Sequence, residues 1–180
     1  IFGVTFMVLA PEHEYVSKLI TPEREAEVEA YLDYVKTRSE LDRMSDAKEV
    51  TGVFTGSYAI HPFTGKRIPI WLGEYVLIDY GTGAIMAVPG DDERDFTFAK
   101  KFDLDVIEIL DRSAYPGALP HSKVGKMINS DFLSGMEVLD AITLMFDKIK
   151  SMGIGEKKVN FKLRDANYSR QRYWGEPFPI

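Results

Sequence analysis

Residues 80–96, YGTGAIMAVPGDDERDF, hold the side chains of this chain best placed to do chemistry. Gly81 and Gly83 flank Thr82 and permit backbone angles that a Cβ forbids, so another molecule can come close to the main chain. Met86, Ala87 and Val88 are small or adaptable, suited to lining an apolar pocket and equally to an ordinary core strand. Gly90 precedes a helical pattern, and Asp91, Asp92 and Asp95 cluster at its start. Asp91 or Asp92 can cap that helix. If the helix begins near Asp92, then Asp92 and Asp95 lie three apart on one face and repel unless a cation sits near. That cation could be Arg94, a metal ion or the ammonium group of a ligand, and spacing leaves the three open.

The elements around this stretch must position it. Residues 3–10, with Val4, Phe6, Val8 and Leu9, read as a buried strand that Pro11 stops. Residues 12–20 read as a short helix. TPERE at 21–25 is a helix start, with Thr21 to cap, Pro22 at the first position and acidic residues at the positive end of the dipole. Val28, Tyr31, Leu32 and Val35 follow at i, i+3, i+4, i+7, carrying this helix to about Ser39. From Gly52 to Val88 the pattern is β, with strands at 58–60, 68–72, 74–79 (EYVLID) and 84–88 (AIMAV), and a turn in HPFTGK. A helix is expected over 91–102, a strand over 105–110 and loop over 111–130. Ser134 is expected to cap a helix that ends at Gly153, and 157–163 returns as a strand. Strands come first and helices are inserted, which predicts an α+β fold with a small β-barrel-like core and inserted and peripheral helices.

Composition narrows the function classes. The 180 residues carry a net charge of −6 and no cysteine. Disulfides, thiolate metal sites and cysteine nucleophiles are therefore excluded, and a reducing, cytoplasmic setting fits. No apolar run approaches the ~18 residues of a membrane span. The acidic balance predicts either no nucleic-acid partner or contact with only a small part of one. His13, His61 and His121 are scattered without metal-ligand spacing and read as surface or capping residues. Both ends read as cut from a longer protein.

Four segments together, APEH (10–13), AIHPFTGKRIPIW (59–71), VLIDYGTGAIMAVPGDDERDFTFAKKFDL (76–104) and GEKKVNFKLRDANYSRQRYWGEPFPI (155–180), resemble the editing insertion of a bacterial-type leucyl-tRNA synthetase, a class I enzyme. The insertion is called connective polypeptide one. The resemblance implies an editing domain over 1–163 and, over 164–180, a connecting segment leading back to the catalytic core through Arg170, Arg172, Tyr173 and Trp174. It implies metal-free hydrolysis of the ester bond of mischarged tRNA(Leu), such as isoleucyl- or norvalyl-tRNA(Leu). One methylene discriminates by only about 1–3 kcal/mol, a magnitude established on synthetases of this very class, so a second site must hydrolyse what the first admits.

The resemblance also assigns residues. Asp95 binds the α-amino group, with Asp92 in support as the second catalytic residue. Tyr80, Gly81, Thr82, Gly83, Met86 and Val88 bind the substrate beside it. Leu77, Ile85 and Arg94 meet the tRNA 3′ end. The implied partners are that tRNA end, noncognate amino acids and the catalytic domain of the same polypeptide. A monomer is implied, with no cofactor in this domain and with ATP and Mg in the catalytic domain. Two departures stand out. The family's threonine-rich segment would lie just before Ile1, and many members carry histidine where this chain has Asp91, making the local field more negative. Alternative readings are an isoleucyl- or valyl-tRNA synthetase editing domain, a fragment that binds the tRNA end or amino acid without catalysis, and a metal hydrolase using Asp91, Asp92 and Asp95.

Overall fold

Side-chain alternation along Phe6–Leu9 decides how the molecule is layered. This strand, β1, sits inside a four-stranded sheet with β2 (Gly52–Ile60), β3 (Arg67–Gly73) and β4 (Ala84–Ala87), in the order β2-β3-β1-β4. The structure is a computed structural model that describes residues 1–39, 43, 50–79, 81–115 and 124–159. Strand β1 runs parallel to β3, with Val8 opposite Trp71, and antiparallel to β4, with Val8 opposite Ile85. On one sheet face Phe6, Val8 and Ala87 pack against Phe98 and Ala99 of helix α3 (Glu93–Lys101). Phe6 stacks on Phe98 at 5.1 Å between ring centroids. On the other face Leu9, Val53, Ile70 and Leu72 pack with Val16 of α1 (Val16–Leu19) and Val28 of α2 (Glu25–Lys36). Each fully buried side chain of this size contributes about 1.5–3 kcal/mol, so the sheet is clamped from both sides at its middle.

The expected mixture of strands and helices is present, and no closed sheet is formed among the described residues. Among the described residues the large sheet is open, and the second sheet is a two-stranded ribbon of β5 (Leu110–Asp111) and β6 (Lys126–Met127). Two irregularities interrupt the strand pattern. Strand β2 breaks register between Phe54 and Tyr58, where Gly56 adopts φ 88°. Residues 74–79, expected as a strand, instead make a corner, with the Val76 amide donating to the Gly73 carbonyl at 3.2 Å.

That corner takes its backbone partners from side chains distant in sequence. The Glu74 amide donates to Tyr31 Oη at 2.9 Å. Arg43 donates to the carbonyl of Glu74 (2.7 Å) and to that of Val76 (3.0 Å), and it holds Glu12 at 2.5 Å. Backbone groups satisfied in this way have no need of a ladder.

Other expectations shift at the edges. Of the strand expected at 105–110, only Leu110 joins a ladder. Ser134 does not cap the long helix α4, which spans Val138–Ser151; it closes a 3₁₀ turn at Asp131–Leu133, and its Oγ accepts from the Ser130 amide at 3.0 Å. The chain divides into two compact units, 1–142 and 143–180. The described part of the second unit contains the rest of α4 and a turn at Gly153 (φ 66°), where the helix was expected to stop. Residues 157–159 lie in no strand, and the rest of the strand expected there, the 163/164 boundary and the segment 164–180 fall outside the described residues. No described helix is long and apolar enough to cross a membrane.

Candidate functional site

Strand β4 ends at Ala87, and the chain must reverse into α3 within five residues. Gly90 makes this possible by close approach: a Cβ there would lie 2.2 Å from the backbone oxygen of Ile107. The amides of Asp91 and Asp92 both donate to the Val88 carbonyl at 3.0 Å. Asp92 then caps α3, its Oδ1 accepting from the amides of Arg94 (2.9 Å) and Asp95 (3.0 Å). Of the two capping candidates, the structure uses Asp92, with extended backbone (φ −131°, ψ 126°) rather than a place on the helix face. Asp91 ion-pairs with Arg112, so the extra negative charge expected of it is met by a cation from beyond β5.

Asp95 turns inward. It is 7% exposed, and its Oδ2 accepts from the Val88 amide at 2.8 Å. Its Oδ1 faces the Tyr75 hydroxyl at 3.4 Å, a long hydrogen bond. Burial raises its pKa to about 6. The negative charge of Asp92 adds to that rise, while the Val88 amide, Tyr75 and Arg94 partly offset it. A carboxylate so placed is stabilised by any cation that reaches it. The guanidinium of Arg94 lies over the Tyr75 ring, 5.8 Å from its centroid.

The other end of the stretch is open. Gly81 and Gly83 adopt φ 66° and 69°, so both glycines serve the left-handed turn for which their type was read. The Gly83 carbonyl accepts from the Ala10 amide at 2.8 Å. Together with the β1–β4 register, this turns the main-chain groups of Gly83, Ile85 and Ala87 toward β1. Those of Ala84 and Met86 point to the open sheet edge. Ile85 thus spends its backbone on β1, opposite Val8, and packs its side chain against the Phe6–Phe98 core. Met86 lies opposite Met7, on the sheet face away from Phe98, and is 54% exposed. Val88 gives its amide to Asp95, and its side chain fits against Gly3. Thr82 is exposed and donates to the Ala84 carbonyl at 3.3 Å. Leu77 is half-buried in the 74–79 corner, and Tyr80 lies outside the described residues.

Tyr75 escaped the sequence reading because EYVLID scans as a strand. A glutamate inside that apolar run was the available sign that its backbone bends. The histidines are structural where described. His61 Nδ1 accepts from the amides of Phe63 and Thr64 at 3.2 Å, leaving Nε2 to donate to the Ile1 carbonyl at 3.0 Å, so the ring caps a turn as a neutral tautomer. His13 Nδ1 accepts from the Tyr15 amide at 3.2 Å, and His121 lies outside the described residues. Among the described residues, no three of His, Cys, Asp and Glu converge as metal ligands. A cleft of 330 Å³ bordered by Phe2, His61, Lys66 and Asp131 shares no residue with the 81–95 stretch.

Fold and site together define a mixed α/β module with a buried carboxylate in the first turn of a helix that follows an edge strand. Residues 1–150 match the protein family described as leucyl-tRNA synthetase, editing domain. The chain is 55% identical to a leucine–tRNA ligase of Porphyromonas gingivalis over 187 residues, covering 100% of the chain and 20% of the relative. It is 50% identical over 180 residues to that of Clostridium botulinum, covering 100% and 22% respectively. A crystal structure of a LeuRS–tRNA–LeuAMS ternary complex from Agrobacterium radiobacter superposes with a TM-score of 0.61 at 30% identity, over 87% of this chain and 16% of that one. The chain belongs to the leucyl-tRNA synthetase editing-domain family and spans about one fifth of the length of these relatives.

Proposed function

We propose that this chain is the module that hydrolyses the ester bond of mischarged tRNA(Leu), with Asp95 as the anchor for the α-amino group. The observation that carries this reading is the Asp95 carboxylate, buried, held by one backbone amide and close to a phenol, with its pKa raised to about 6. An α-ammonium group entering the site relieves the desolvation that raises that pKa. Met86 and Val88 flank the side chain of the noncognate amino acid, with Tyr80, Thr82 and the glycine turn beside it. The terminal adenosine reaches the strand edge near Ile85 and the corner at Leu77, and Arg94 accompanies the phosphate backbone.

A water molecule held by the protein and a ribose hydroxyl adds to the ester carbonyl, and the other ribose oxygen leaves with a proton to free the amino acid. Proximity and orientation, more than a side-chain base, lower the barrier. Main-chain amides at the open edge can face the developing oxyanion. Asp92 supports the site by fixing the start of the helix that carries Asp95. On this reading residues 1–163 edit and 164–180 lead to the catalytic domain, where ATP and Mg serve the charging reaction. The partners are the tRNA(Leu) 3′ end and noncognate amino acids, and the enzyme acts as a cytoplasmic monomer.

The test is deacylation of isoleucyl-tRNA(Leu) by the full-length enzyme that carries this module. Replacing Asp95 with alanine should lower kcat/KM by about 100-fold, the size of a lost charge-assisted pair. Parent-like deacylation by Asp95→Ala sinks the anchor assignment, and insensitivity to EDTA separates this mechanism from a metal hydrolase. A parent module that binds mischarged tRNA without hydrolysing it would make this a binding module only.

A further inference from the structure

Tyr75 is held from its ring face, its ring edge and the backbone on both sides. Its ring packs on Phe98 at 5.8 Å and lies against the slot left by Gly73, where a Cβ would meet the ring edge at 3.0 Å. The backbone on both sides is pinned. The Glu74 amide donates to Tyr31 Oη, and Arg43 bonds the carbonyls of Glu74 and Val76. Thr51 Oγ1 donates to Glu74 Oε1 at 2.7 Å, so the Tyr31 proton goes to Thr51 at 3.0 Å. A half-buried polar chain from α2 through Thr51 to the corner thus fixes the residue just before Tyr75. The phenol that this frame aims ends at Asp95 Oδ1.

We propose that Tyr75 is a positioning residue for editing: its hydroxyl donates to Asp95 Oδ1 while the Val88 amide holds Oδ2, setting the direction of the carboxylate and favouring its charged form. This rests on the reading of Asp95 as the amino anchor. The charged and titratable groups around Asp95 are Asp92 and Arg94 from its own helix region and Tyr75 from the corner. Burial, with the Asp95 charge behind it, raises the Tyr75 pKa, so the phenol keeps its proton and stays a donor throughout the working range. A neutral donor to a carboxylate favours its ionised state, so removing the hydroxyl shifts the carboxylate toward its protonated form.

The test is the pH dependence of isoleucyl-tRNA(Leu) deacylation by full-length enzyme, with Tyr75→Phe and Asp95→Ala run beside the parent. The reading is the ratio of variant to parent kcat/KM at each pH. Loss of the hydroxyl should move the acid limb up by about half a unit, so the Tyr75→Phe ratio falls about threefold below pH ~6 and returns to its plateau above pH ~8. The change should fall on KM rather than kcat, because the anchor binds and does not react. A ratio flat across pH means a packing role only and overturns the proposal, even where Asp95→Ala is inactive and the anchor reading stands. An Asp95→Ala enzyme that edits like the parent overturns the anchor reading and this inference with it.

Discussion

The two ends of the 81–95 stretch have opposite designs. At the glycine end, Gly81 has nothing within 4 Å of where its Cβ would be, Thr82 is exposed, and the main chain of Met86 points to a strand edge left open among the described residues. At the aspartate end almost every polar group is used: Val88 serves Asp91, Asp92 and Asp95, Asp92 caps the helix, and Asp91 pairs with Arg112. The open end can admit a large, flexible ligand. The closed end holds one carboxylate at a fixed place, out of water. Recognition of a charged group needs the second design, because a carboxylate discriminates by charge only where solvent does not already satisfy it.

Packing tests the contrast most severely. Gly90→Ala must push a Cβ into the Ile107 backbone oxygen, whereas Gly81→Ala meets open space and only the strain of a left-handed angle. Gly90→Ala should cost about 3 kcal/mol and Gly81→Ala about 1 kcal/mol, measured by denaturant unfolding. Equal costs would erase the distinction between a closed and an open end.

Charge gives the next largest effect. Asp95 has a folded pKa of about 6, above its unfolded value, so the native state binds the extra proton between about pH 4 and 6. Stability from this group is therefore greatest at low pH and falls as pH rises through that window. Asp95→Asn keeps an acceptor for the Val88 amide and removes the buried charge. It should stabilise the protein by about 2 kcal/mol at pH 8 and by almost nothing at pH 4, seen in thermal melts at the two pH values. A stabilisation that does not change with pH would show that the gain is not electrostatic.

The smallest effect is at the cap. Asp92→Ala removes the acceptor for two amides at the start of α3 and should cost about 1 kcal/mol in chemical denaturation. If its effect on editing exceeds that of an equal destabilisation elsewhere, Asp92 does more than cap.

Much of this arrangement is legible from residue types because local rules govern it. The buried alternation of β1, the helical period of α2, the strand at Ala84–Ala87 and the helix carrying Asp95 follow from hydrophobic spacing and turn residues. The parts that escape depend on partners far along the chain. Residues 74–79 look like a strand until Tyr31 and Arg43 are seen to take their backbone groups, and Arg43 lies 31 positions before Glu74. Spacing could not choose between Asp91 and Asp92 as the cap, because the answer depends on Arg112, 21 residues downstream of Asp91. Ser134 had the right residue type for a cap, but the 3₁₀ turn before it claimed its oxygen. Sheet closure is not legible in spacing for a related reason: strand count is local, whereas closure depends on register, and the register of β2 shifts between Phe54 and Tyr58.

The most direct test of Asp95 as the amino anchor removes the amino group in place of the carboxylate. Full-length enzyme would be given tRNA(Leu) carrying either isoleucine or the 2-hydroxy acid of the same side chain, and deacylation rates compared for parent and Asp95→Ala. The account predicts that the parent prefers the amino ester by about 100-fold and that Asp95→Ala hydrolyses both esters at the same low rate. A preference for the amino ester that survives in Asp95→Ala would contradict it.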